Sequence, residues 1–395
     1  MSAVTRVTFL INSFGPGGAQ RQIVEVCEQM PPEVQTSVAW YDRTGEFPQL
    51  PENIETLILP RRNRYDPRFA TALGRLCSKS RTDVIHAWLG ASSLYAGLVR
   101  QVPTKVPVIT AVGCSRTFFD TNPLEGRAHA VAALLADHTT VNCHDVIDWL
   151  CERGVPRDKI TFIANIVPHW AMERTPSTPD QQRALLEELG LPTDVAPIVH
   201  LARFDAFKNH DGLVRALIAL RKAGVEVPPV VMAGRHFEPE RAEHVRQLAA
   251  REGFDDLLHL IAPVREVATL MEAARLVVLP SHSEGLPNVV LEALALGRPL
   301  VATRVGEVPT MVEHGVNGVL CDPGDDDDLA RALKEALEMP ASAVAEMGRT
   351  AQNRCLATYS GEVILAQQRA LYERVIEQPR TAWMSRIQRA MGLQR

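Results

Sequence analysis

Short apolar runs rich in β-branched residues alternate with longer segments of helical periodicity along this chain. That alternation is typical of an α/β fold, in which helices cover both faces of a parallel sheet. The runs fall into two series, and each is long enough to form a doubly wound sheet of its own. They predict strands at 6–11, 36–40, 54–59, 84–86, 106–111, 139–142 and 160–163, and then at 198–201, 230–233, 257–261, 276–280, 300–303 and 318–321.

A proline-rich polar stretch separates the two series and is typical of a linker between domains. Ligands of doubly wound sheets bind outside the carboxyl ends of the strands, so we expect two domains facing a central cleft that holds the site. The predicted division is a Rossmann-like domain at 1–170, a linker at 171–196, a second Rossmann-like domain at 197–362, and C-terminal helices at 363–395 that return to the first domain.

Composition excludes several classes of function. The formal net charge of −5 argues against binding nucleic acid through bulk charge. Seven scattered cysteines without a Cys-x-x-Cys pair favour a reducing, cytoplasmic compartment and argue against a structural zinc site. No apolar run approaches the roughly 20 residues that cross a bilayer. The first residues lead directly into a strand, so we expect no signal peptide.

The first candidate ligand-binding segment follows the first predicted strand. It places Gly15, Gly17 and Gly18 directly before a helical pattern. Adjacent glycines let a backbone approach a ligand closely, and the amides at a helix start favour an anion. A tight strand-to-helix turn without a ligand is the alternative, because the segment is neither a Gly-x-Gly-x-x-Gly nor a Walker loop.

The second candidate segment, residues 201–209, follows the first strand of the second series. Arg203 offers a planar fork for phosphate oxygens, and Lys208 adds a compact positive charge five positions later. Both positions fall at the carboxyl end of a strand, where a ligand of the sheet is expected. Two solvated loop charges are the alternative interpretation.

The third candidate segment follows the strand at 276–280. Asn288 is a candidate helix cap, and the amides of Asn288 and Val289 would then be placed to meet a pyrophosphate. Glu284 precedes this helix and Glu292 lies on it, and carboxylates accept hydrogen bonds from sugar hydroxyls. Taken alone, two glutamates eight positions apart favour surface positions.

Together, the three segments form an ordered pattern that is specific enough to indicate a protein family. The ordered set of the glycine pair, the two cations and the two glutamates resembles the retaining nucleotide-sugar glycosyltransferases of family 4. The resemblance spans almost the whole chain and is densest at 198–337, where Glu284-Gly-Leu-Pro-Asn-Val-Val-Leu-Glu292 and Asn317-Gly318 match family signatures. It implies a GT-B fold and a nucleotide-diphosphate sugar as donor, with a UDP-sugar favoured. It also implies that no metal or other cofactor is required.

The resemblance assigns roles to individual residues. Arg203 and Lys208 would bind the donor diphosphate and Glu284 the donor sugar, which makes these three the expected catalytic residues. Glu292 would hold the ribose, and the glycine pair would close over the distal phosphate from the opposite domain. The full set of residues expected to bind the donor is Gly17, Gly18, Arg203, Lys208, Arg235, Glu284, Gly285, Leu286, Pro287, Asn288, Val289 and Glu292.

The acceptor side departs from the family pattern. The loop after the strand at 106–111 lacks the histidine that many members carry there, so Arg116 is a candidate for a different task. His86 lies where members often have a histidine, and a structural histidine is the alternative. Arg61 and Arg64 belong to a loop with four arginines that would suit an anionic acceptor, such as a lipid-linked saccharide. A solvated loop is the alternative there.

The C-terminal stretch 379–395 places apolar residues near one helical face and four arginines opposite them. A basic amphipathic helix can lie on an anionic membrane. The alternative is that the last helix returns to the first domain, and we expect residues 363–377 to form that crossing.

The resemblance implies a retaining, metal-independent hexosyltransferase that acts on a glycan or lipid-linked saccharide. We expect it in bacterial surface polysaccharide or lipopolysaccharide assembly, in the cytoplasm or peripherally at the cytoplasmic face of the inner membrane. Two alternatives stay open. A nucleotide-sugar epimerase of the same fold would turn over the donor without an acceptor, and a degenerate transferase-like partner subunit would lack activity of its own.

Overall fold

The computed structural model describes residues 4–15, 17–42, 50–59, 68–99, 106–235 and 238–377. The chain divides into two compact units. Unit 1 comprises Met1–His169 and Tyr359–Arg395, and unit 2 comprises Trp170–Thr358. Each unit contains one parallel sheet with its own helices.

The described residues of unit 1 form the strands β1 (Thr5–Ser13), β2 (Val34–Asp42), β3 (Glu55–Ile58), β4 (Val84–Trp88), β5 (Val108–Val112), β6 (His138–Val141) and β7 (Ile160–Phe162). Their order in the sheet is β3-β2-β1-β4-β5-β6-β7, and all neighbours pair in parallel. The order reverses between β1 and β4. In doubly wound sheets such a reversal opens a crevice at the carboxyl ends of the two strands.

The described residues of unit 2 form the strands β8 (Ile198–Leu201), β9 (Val230–Ala233), β10 (Leu258–Ile261), β11 (Leu276–Leu279), β12 (Leu300–Thr303) and β13 (Val319–Cys321). Their order is β10-β9-β8-β11-β12-β13, again with parallel neighbours. Here the reversal lies between β8 and β11.

Helices connect the strands in both units. Those of the described residues are α1 (Gly18–Gln29), α2 (Arg68–Lys79), α3 (Gly90–Val99), α4 (Arg116–Thr121), α5 (Pro123–Leu135), α6 (Asp145–Cys151), α7 (His169–Glu173), α8 (Pro179–Glu188), α9 (His210–Lys222), α10 (Pro239–Arg251), α11 (Val267–Ala273), α12 (Asn288–Ala295), α13 (Val308–Met311), α14 (Asp326–Glu338), α15 (Ala341–Tyr359) and α16 (Gly361–Glu377). No described helix has both the length and the apolar character needed to span a membrane.

Buried apolar side chains hold each unit together. In unit 1, one cluster packs α2 and α3 against the sheet around Phe69 and Leu73, and another packs α4, α5 and α6 around Trp149. In unit 2, a large cluster that includes Phe204 and Leu217 packs α9, α10 and α14 onto the strands. Because helices cover the sheets, central strands such as β5 and β11 are buried along their whole length.

Helix α16 belongs to unit 1, although the chain reaches it only after unit 2. Its Tyr372 is buried, and the hydroxyl lies 2.9 Å from Nδ1 of His86 on β4. Its Arg374 donates from Nη2 to Thr161 Oγ1 on β7 at 3.1 Å. The helix that the sequence predicts at 363–377 is therefore present, and it packs on the sheet of the first domain.

The proline-rich stretch at 171–196 contains helix α8 and lies in unit 2. A capping box starts this helix: Thr178 Oγ1 accepts from the amide of Gln181, and the Gln181 side chain accepts from the amide of Thr178. Leu185 and Leu186 are buried. Before the helix, Arg174 Nη2 donates to Thr269 Oγ1 on α11 at 2.7 Å.

All thirteen strands predicted from the sequence coincide with strands of the structure, and their ends differ by two residues at most. The predicted α/β class with two doubly wound, Rossmann-like domains is thereby confirmed.

Candidate active site

The second and third candidate segments lie at the carboxyl ends of β8 and β11, where the strand order of unit 2 reverses. The loop after β8 carries Arg203 and Lys208, and the loop after β11 carries Glu284. The fold thus joins two loops whose charged residues, Lys208 and Glu284, lie 76 positions apart in the sequence.

Lys208 and Glu284 form an ion pair, with Nζ 2.5 Å from Oε1. The same carboxylate oxygen accepts from Ser281 Oγ at 2.7 Å, and Thr303 Oγ1 donates to the Ser281 carbonyl at 2.6 Å. The Lys208 side chain is 18% exposed and that of Glu284 is 10% exposed. Because both are partly buried, salt screens their interaction less than it would screen a surface pair.

Arg203 stands at the start of the same loop as Lys208. Its side chain is 53% exposed, and Nη2 lies 3.1 Å from Oδ2 of Asp205, whose side chain is only 5% exposed. The other Asp205 oxygen accepts from the amide of Phe207 at 3.0 Å and caps the short 3-10 turn Ala206–Lys208. Both cations therefore belong to one structured loop rather than to two independent surface positions.

Asn209 turns the chain sharply from Lys208 into helix α9. Its φ of 52° lies in the left-handed region, which asparagine tolerates better than most residues. Its side chain accepts from the amide of Gly212 at 3.2 Å and caps α9. This turn leaves Lys208 at the crevice and buries the next residue, His210.

Two neutral histidines lie beneath this loop. His210 stacks on Phe204 with ring centroids 4.3 Å apart, and its ring meets that of His200 edge to face at 4.6 Å. Burial lowers the pKa of His200 to about 4 and that of His210 to about 2. Both rings are therefore uncharged at neutral pH, and they add no positive charge to the crevice.

Two glycines support the charged loops from neighbouring strands. Gly306, after β12, has a φ of 51°, and a Cβ added there would overlap the carbonyl oxygens of Glu284 and Gly285. A Cβ on Gly234, after β9, would overlap the carbonyl oxygen of Ala202, beside Arg203. Neither glycine was predicted to support the site, although Gly234 directly follows a predicted strand and Gly306 comes three residues after one; glycine near a strand often marks a close backbone approach.

Backbone contacts join the two loops. The amide of His282 donates to the carbonyl of Phe207 at 2.7 Å, and the amide of Glu307 donates to the carbonyl of Gly285 at 2.9 Å. Phe204 donates its amide to the carbonyl of Arg235 at 2.9 Å, while the Arg235 side chain is exposed. Arg235 thus lies beside the Arg203 loop.

Helix α12 begins at Asn288, so Pro287 and not Asn288 occupies the cap position; no side-chain cap hydrogen bond is present there. The first amides of an α-helix have no partner within the helix, which suits them to an anion. Glu292 is buried on this helix, one turn after its start. Leu286 is buried in the turn between Glu284 and the helix.

In unit 1, Gly17 and Gly18 lie just after the carboxyl end of β1. Gly17 occupies the cap position of α1 with an extended φ of −170°, and Gly18 is the first residue of the helix. The Gln20 side chain folds back and donates to the carbonyl of Ser13 at 3.1 Å. The glycine pair therefore lies next to the reversal between β1 and β4.

The candidate acceptor residues of unit 1 differ in exposure. His86 is completely buried, with Nδ1 2.9 Å from the Tyr372 hydroxyl and Nε2 3.2 Å from Thr140 Oγ1. Burial lowers its pKa to about 3, and these contacts are those of a structural histidine. Arg116 begins α4, and its Nη1 lies 2.9 Å from Glu152 Oε1. Arg61, Arg64 and the tail at 379–395 lie outside the described residues.

The family is established by two models that together cover most of the chain. The model described as Glycosyltransferase Family 4 matches residues 16–169, and the model described as Glycosyl transferases group 1 matches residues 181–354. The chain belongs to the family 4 glycosyltransferases, as the sequence motifs predict.

Relatives support this assignment. D-inositol 3-phosphate glycosyltransferase 2 of Catenulispora acidiphila is 34% identical over 206 residues, which are 50% of this chain and 48% of the relative. D-inositol 3-phosphate glycosyltransferase of Mycolicibacterium paratuberculosis is 35% identical over 204 residues, 51% and 45% of the respective chains. The chain thus spans about half the length of the curated relatives that it matches.

Solved structures show the fold. HepE of Anabaena in complex with UDP has a TM-score of 0.81 at 19% identity, over 94% of this chain and 100% of that chain. Sucrose-phosphate synthase of Thermosynechococcus elongatus has a TM-score of 0.77 at 20% identity, over 94% of this chain and 99% of that chain. The predicted GT-B fold is confirmed.

Proposed function

We propose that this protein is a retaining, metal-independent glycosyltransferase that moves a hexosyl group from a UDP-sugar to a glycan or lipid-linked saccharide. The observation that carries the proposal is the meeting of Arg203, Lys208 and Glu284 at the carboxyl ends of β8 and β11. A nucleotide-sugar donor presents a diphosphate and sugar hydroxyls. Cationic side chains suit the diphosphate, and a carboxylate accepts hydrogen bonds from the hydroxyls.

The chemistry needs stabilisation of a leaving group. When the bond between the anomeric carbon and the phosphate oxygen breaks, negative charge builds on that oxygen. Arg203, Lys208 and the first amides of α12 would stabilise it, and a preorganised donor of this kind contributes about 10²–10³-fold in rate. The acceptor oxygen would bond to the same face of the anomeric carbon, and its proton would pass to the leaving diphosphate.

The donor and the absence of a metal requirement have separate support. Solved structures of HepE, which shares the fold, contain UDP and, in another crystal, UDP with glucose. UDP is therefore the first nucleotide to test. Two cationic side chains at the crevice supply the charge that a divalent cation would otherwise contribute to the diphosphate, so we expect activity without added metal.

The acceptor is proposed to be anionic. The curated relatives are named for D-inositol 3-phosphate, and a lipid-linked saccharide diphosphate shares the phosphate group of such a substrate. The sequence around Arg61 and Arg64 is rich in arginine, which suits phosphate. We propose a role in bacterial surface polysaccharide assembly, with peripheral contact at an anionic membrane through residues 379–395.

Donor binding is tested by thermal unfolding with nucleoside diphosphates in the presence of EDTA. A ligand at one hundred times its Kd stabilises the folded state by about 2.7 kcal/mol. We expect a shift with UDP. The absence of a shift with every nucleoside diphosphate would contradict the proposed donor site and favour the degenerate partner subunit.

Transfer is tested by incubating the purified protein with UDP-sugars and phosphorylated or lipid-linked acceptors, followed by NMR of the product. We expect the anomeric configuration of the donor to be preserved in the product. An inverted product would contradict the retaining mechanism. Conversion of the donor to an epimer without any acceptor would favour the epimerase.

A further inference from the structure

We propose that Asp205 is a positioning residue that fixes both donor-binding cations of the loop after β8. The inference rests on the proposed function, because it concerns the geometry of the site for the donor diphosphate. Asp205 lies within the candidate segment 201–209, but the sequence alone predicts no role for it. It stands between Arg203 and Lys208, and its side chain is almost completely buried.

Each oxygen of the Asp205 carboxylate has a different task. Oδ2 lies 3.1 Å from Nη2 of Arg203. Oδ1 accepts from the amide of Phe207 at 3.0 Å and caps the turn that ends at Lys208. The backbone also connects Asp205 to Lys208, since the amide of Lys208 donates to the Asp205 carbonyl at 3.3 Å. A single side chain thereby holds the guanidinium and the turn that carries the ammonium.

The contrast in burial explains why such a contact matters. The Arg203 side chain is 53% exposed, whereas that of Asp205 is 5% exposed. A long exposed side chain samples many rotamers, and it loses that freedom when it binds a phosphate. A buried carboxylate that is itself fixed by a backbone amide restricts the guanidinium before the ligand arrives. Preorganisation of this kind lowers the cost of binding.

The capping contact also helps to position the second cation, Lys208. The turn capped by Asp205 is tied to the Glu284 loop, because the carbonyl of Phe207 accepts from the amide of His282 at 2.7 Å. Lys208, the last residue of the turn, pairs with Glu284 across the same junction. A guanidinium carries five N–H donors, so one carboxylate at Arg203 is compatible with a phosphate at the same side chain.

A competing interpretation predicts the opposite change in UDP affinity. The Asp205 charge could repel the diphosphate or compete with it for Arg203, in which case its removal would tighten nucleotide binding. In the positioning interpretation, removal of the charge alone weakens binding, and it does so only while Arg203 is present, because a side chain that keeps the capping oxygen still fixes the turn that ends at Lys208. The two interpretations are therefore separated by the direction of the change.

The test is a double-mutant cycle on UDP affinity, measured by calorimetry on the full chain. Asp205→Asn keeps the shape and an oxygen that can accept from the Phe207 amide, but it removes the charge that faces Arg203. We expect this change to raise the Kd for UDP about tenfold. In an Arg203→Ala background the same change should alter the Kd less than about twofold, because the residue through which it acts is gone.

Asp256→Asn is the matched control. Asp256 pairs with Arg221, with Oδ1 2.8 Å from Nη1, and it lies before β10, at the amino edge of the same sheet. UDP affinity should not change in this variant. Asp205→Ser provides a second variant that retains a capping oxygen, in case thermal unfolding shows that the asparagine variant does not fold.

The outcomes separate this inference from the proposed function. If the wild-type chain binds no nucleoside diphosphate, the proposed function itself fails. If the wild type binds UDP but Asp205→Asn binds it equally or more tightly, only the inference is overturned. A tenfold loss that persists in the Arg203→Ala background would also overturn it, as would failure of both Asp205 variants to fold, because either result would assign Asp205 a purely structural role.

Discussion

Lys208 pairs with the partly buried carboxylate of Glu284, so we expect its removal to affect both activity and stability. Lys208→Met keeps the length of the side chain and removes the charge. We expect turnover to fall by about 10²-fold or more, because a preorganised charge at the leaving diphosphate is lost. We also expect a stability loss of about 1–2 kcal/mol, since Glu284 is left partly buried without its cation. Steady-state kinetics and urea unfolding measure the two effects.

Lys222→Met is the matched control for this change. Lys222 pairs with Glu252 on the surface of unit 2, and both side chains are largely exposed. Exposed pairs contribute little, so turnover should be unchanged and stability should change by less than about 1 kcal/mol. If Lys208→Met retained the turnover of this control, Lys208 would have no part in the mechanism.

Spacing in the sequence identifies single charged residues but not their partners. Arg203, Lys208 and Glu284 could be named from the sequence because their order matches a family signature. Asp205 and Ser281 could not, since an aspartate or a serine in a loop carries no pattern until the fold brings its partner close. His86 shows the same limit, because its partner Tyr372 lies 286 positions away.

At the scale of elements, the loops of the site depend on the close approach of neighbouring backbones. Gly306→Ala places a Cβ against the carbonyl oxygens of Glu284 and Gly285, in a residue whose φ of 51° already disfavours a side chain. We expect a stability loss of about 2–4 kcal/mol from strain and overlap together. Displacement of the Glu284 loop should also weaken UDP binding. Urea unfolding and calorimetry measure the two changes.

Gly315→Ala separates overlap from backbone strain. Gly315 has a φ of 78°, and nothing lies within 4 Å of a Cβ added there. We expect a stability loss of only about 1 kcal/mol and unchanged UDP affinity. Equal effects of the two substitutions would contradict the inferred contact between Gly306 and the Glu284 loop.

Strands were easier to predict than the segments between them. Buried parallel strands are continuous apolar runs, so all thirteen could be located from the sequence. The stretch at 171–196 has the composition of a linker, yet it contains α8. Proline is favoured in the first turn of a helix, and Pro179 starts α8 directly after the capping residue Thr178. Composition alone could not separate these two uses of proline.

At the scale of the whole molecule, buried histidines make stability depend on pH. Burial lowers the pKa of seven histidines in the described part of the chain. The pKa falls to about 3 for His86, about 4 for His129, His138 and His200, and about 2 for His210, and it is also lowered for His259 and His282. An unfolded histidine titrates near 6.5. Below that pH the unfolded chain binds more protons than the folded chain, so acid favours unfolding.

We therefore expect stability to fall as the pH decreases from 7 to 5. Each of these histidines contributes up to about 1.4 kcal/mol per pH unit below its unfolded pKa. Glu25 acts in the opposite direction, because burial raises its pKa and the folded state then gains a proton on acidification. Urea unfolding at pH 7, 6 and 5 measures the net change in the free energy of unfolding. A constant free energy of unfolding across this range would contradict the burial of the histidines.

The GT-B fold and the family follow from the alternation of strands and helices together with motifs in both halves of the chain. The identities of the donor and the acceptor cannot be predicted from these sequence patterns. They depend on a few loop side chains, and loops vary more among homologues than the elements that they connect.

We propose that a nucleotide-diphosphate donor binds at the carboxyl ends of β8 and β11. Hydrogen exchange of the full chain with and without UDP, in the presence of EDTA, tests it most directly. We predict slower amide exchange at 203–209 and 281–289, and unchanged exchange at 252–257 on the opposite edge of the same sheet. UDP binding without protection at 203–209 and 281–289, or with protection only at the opposite edge, would contradict the account.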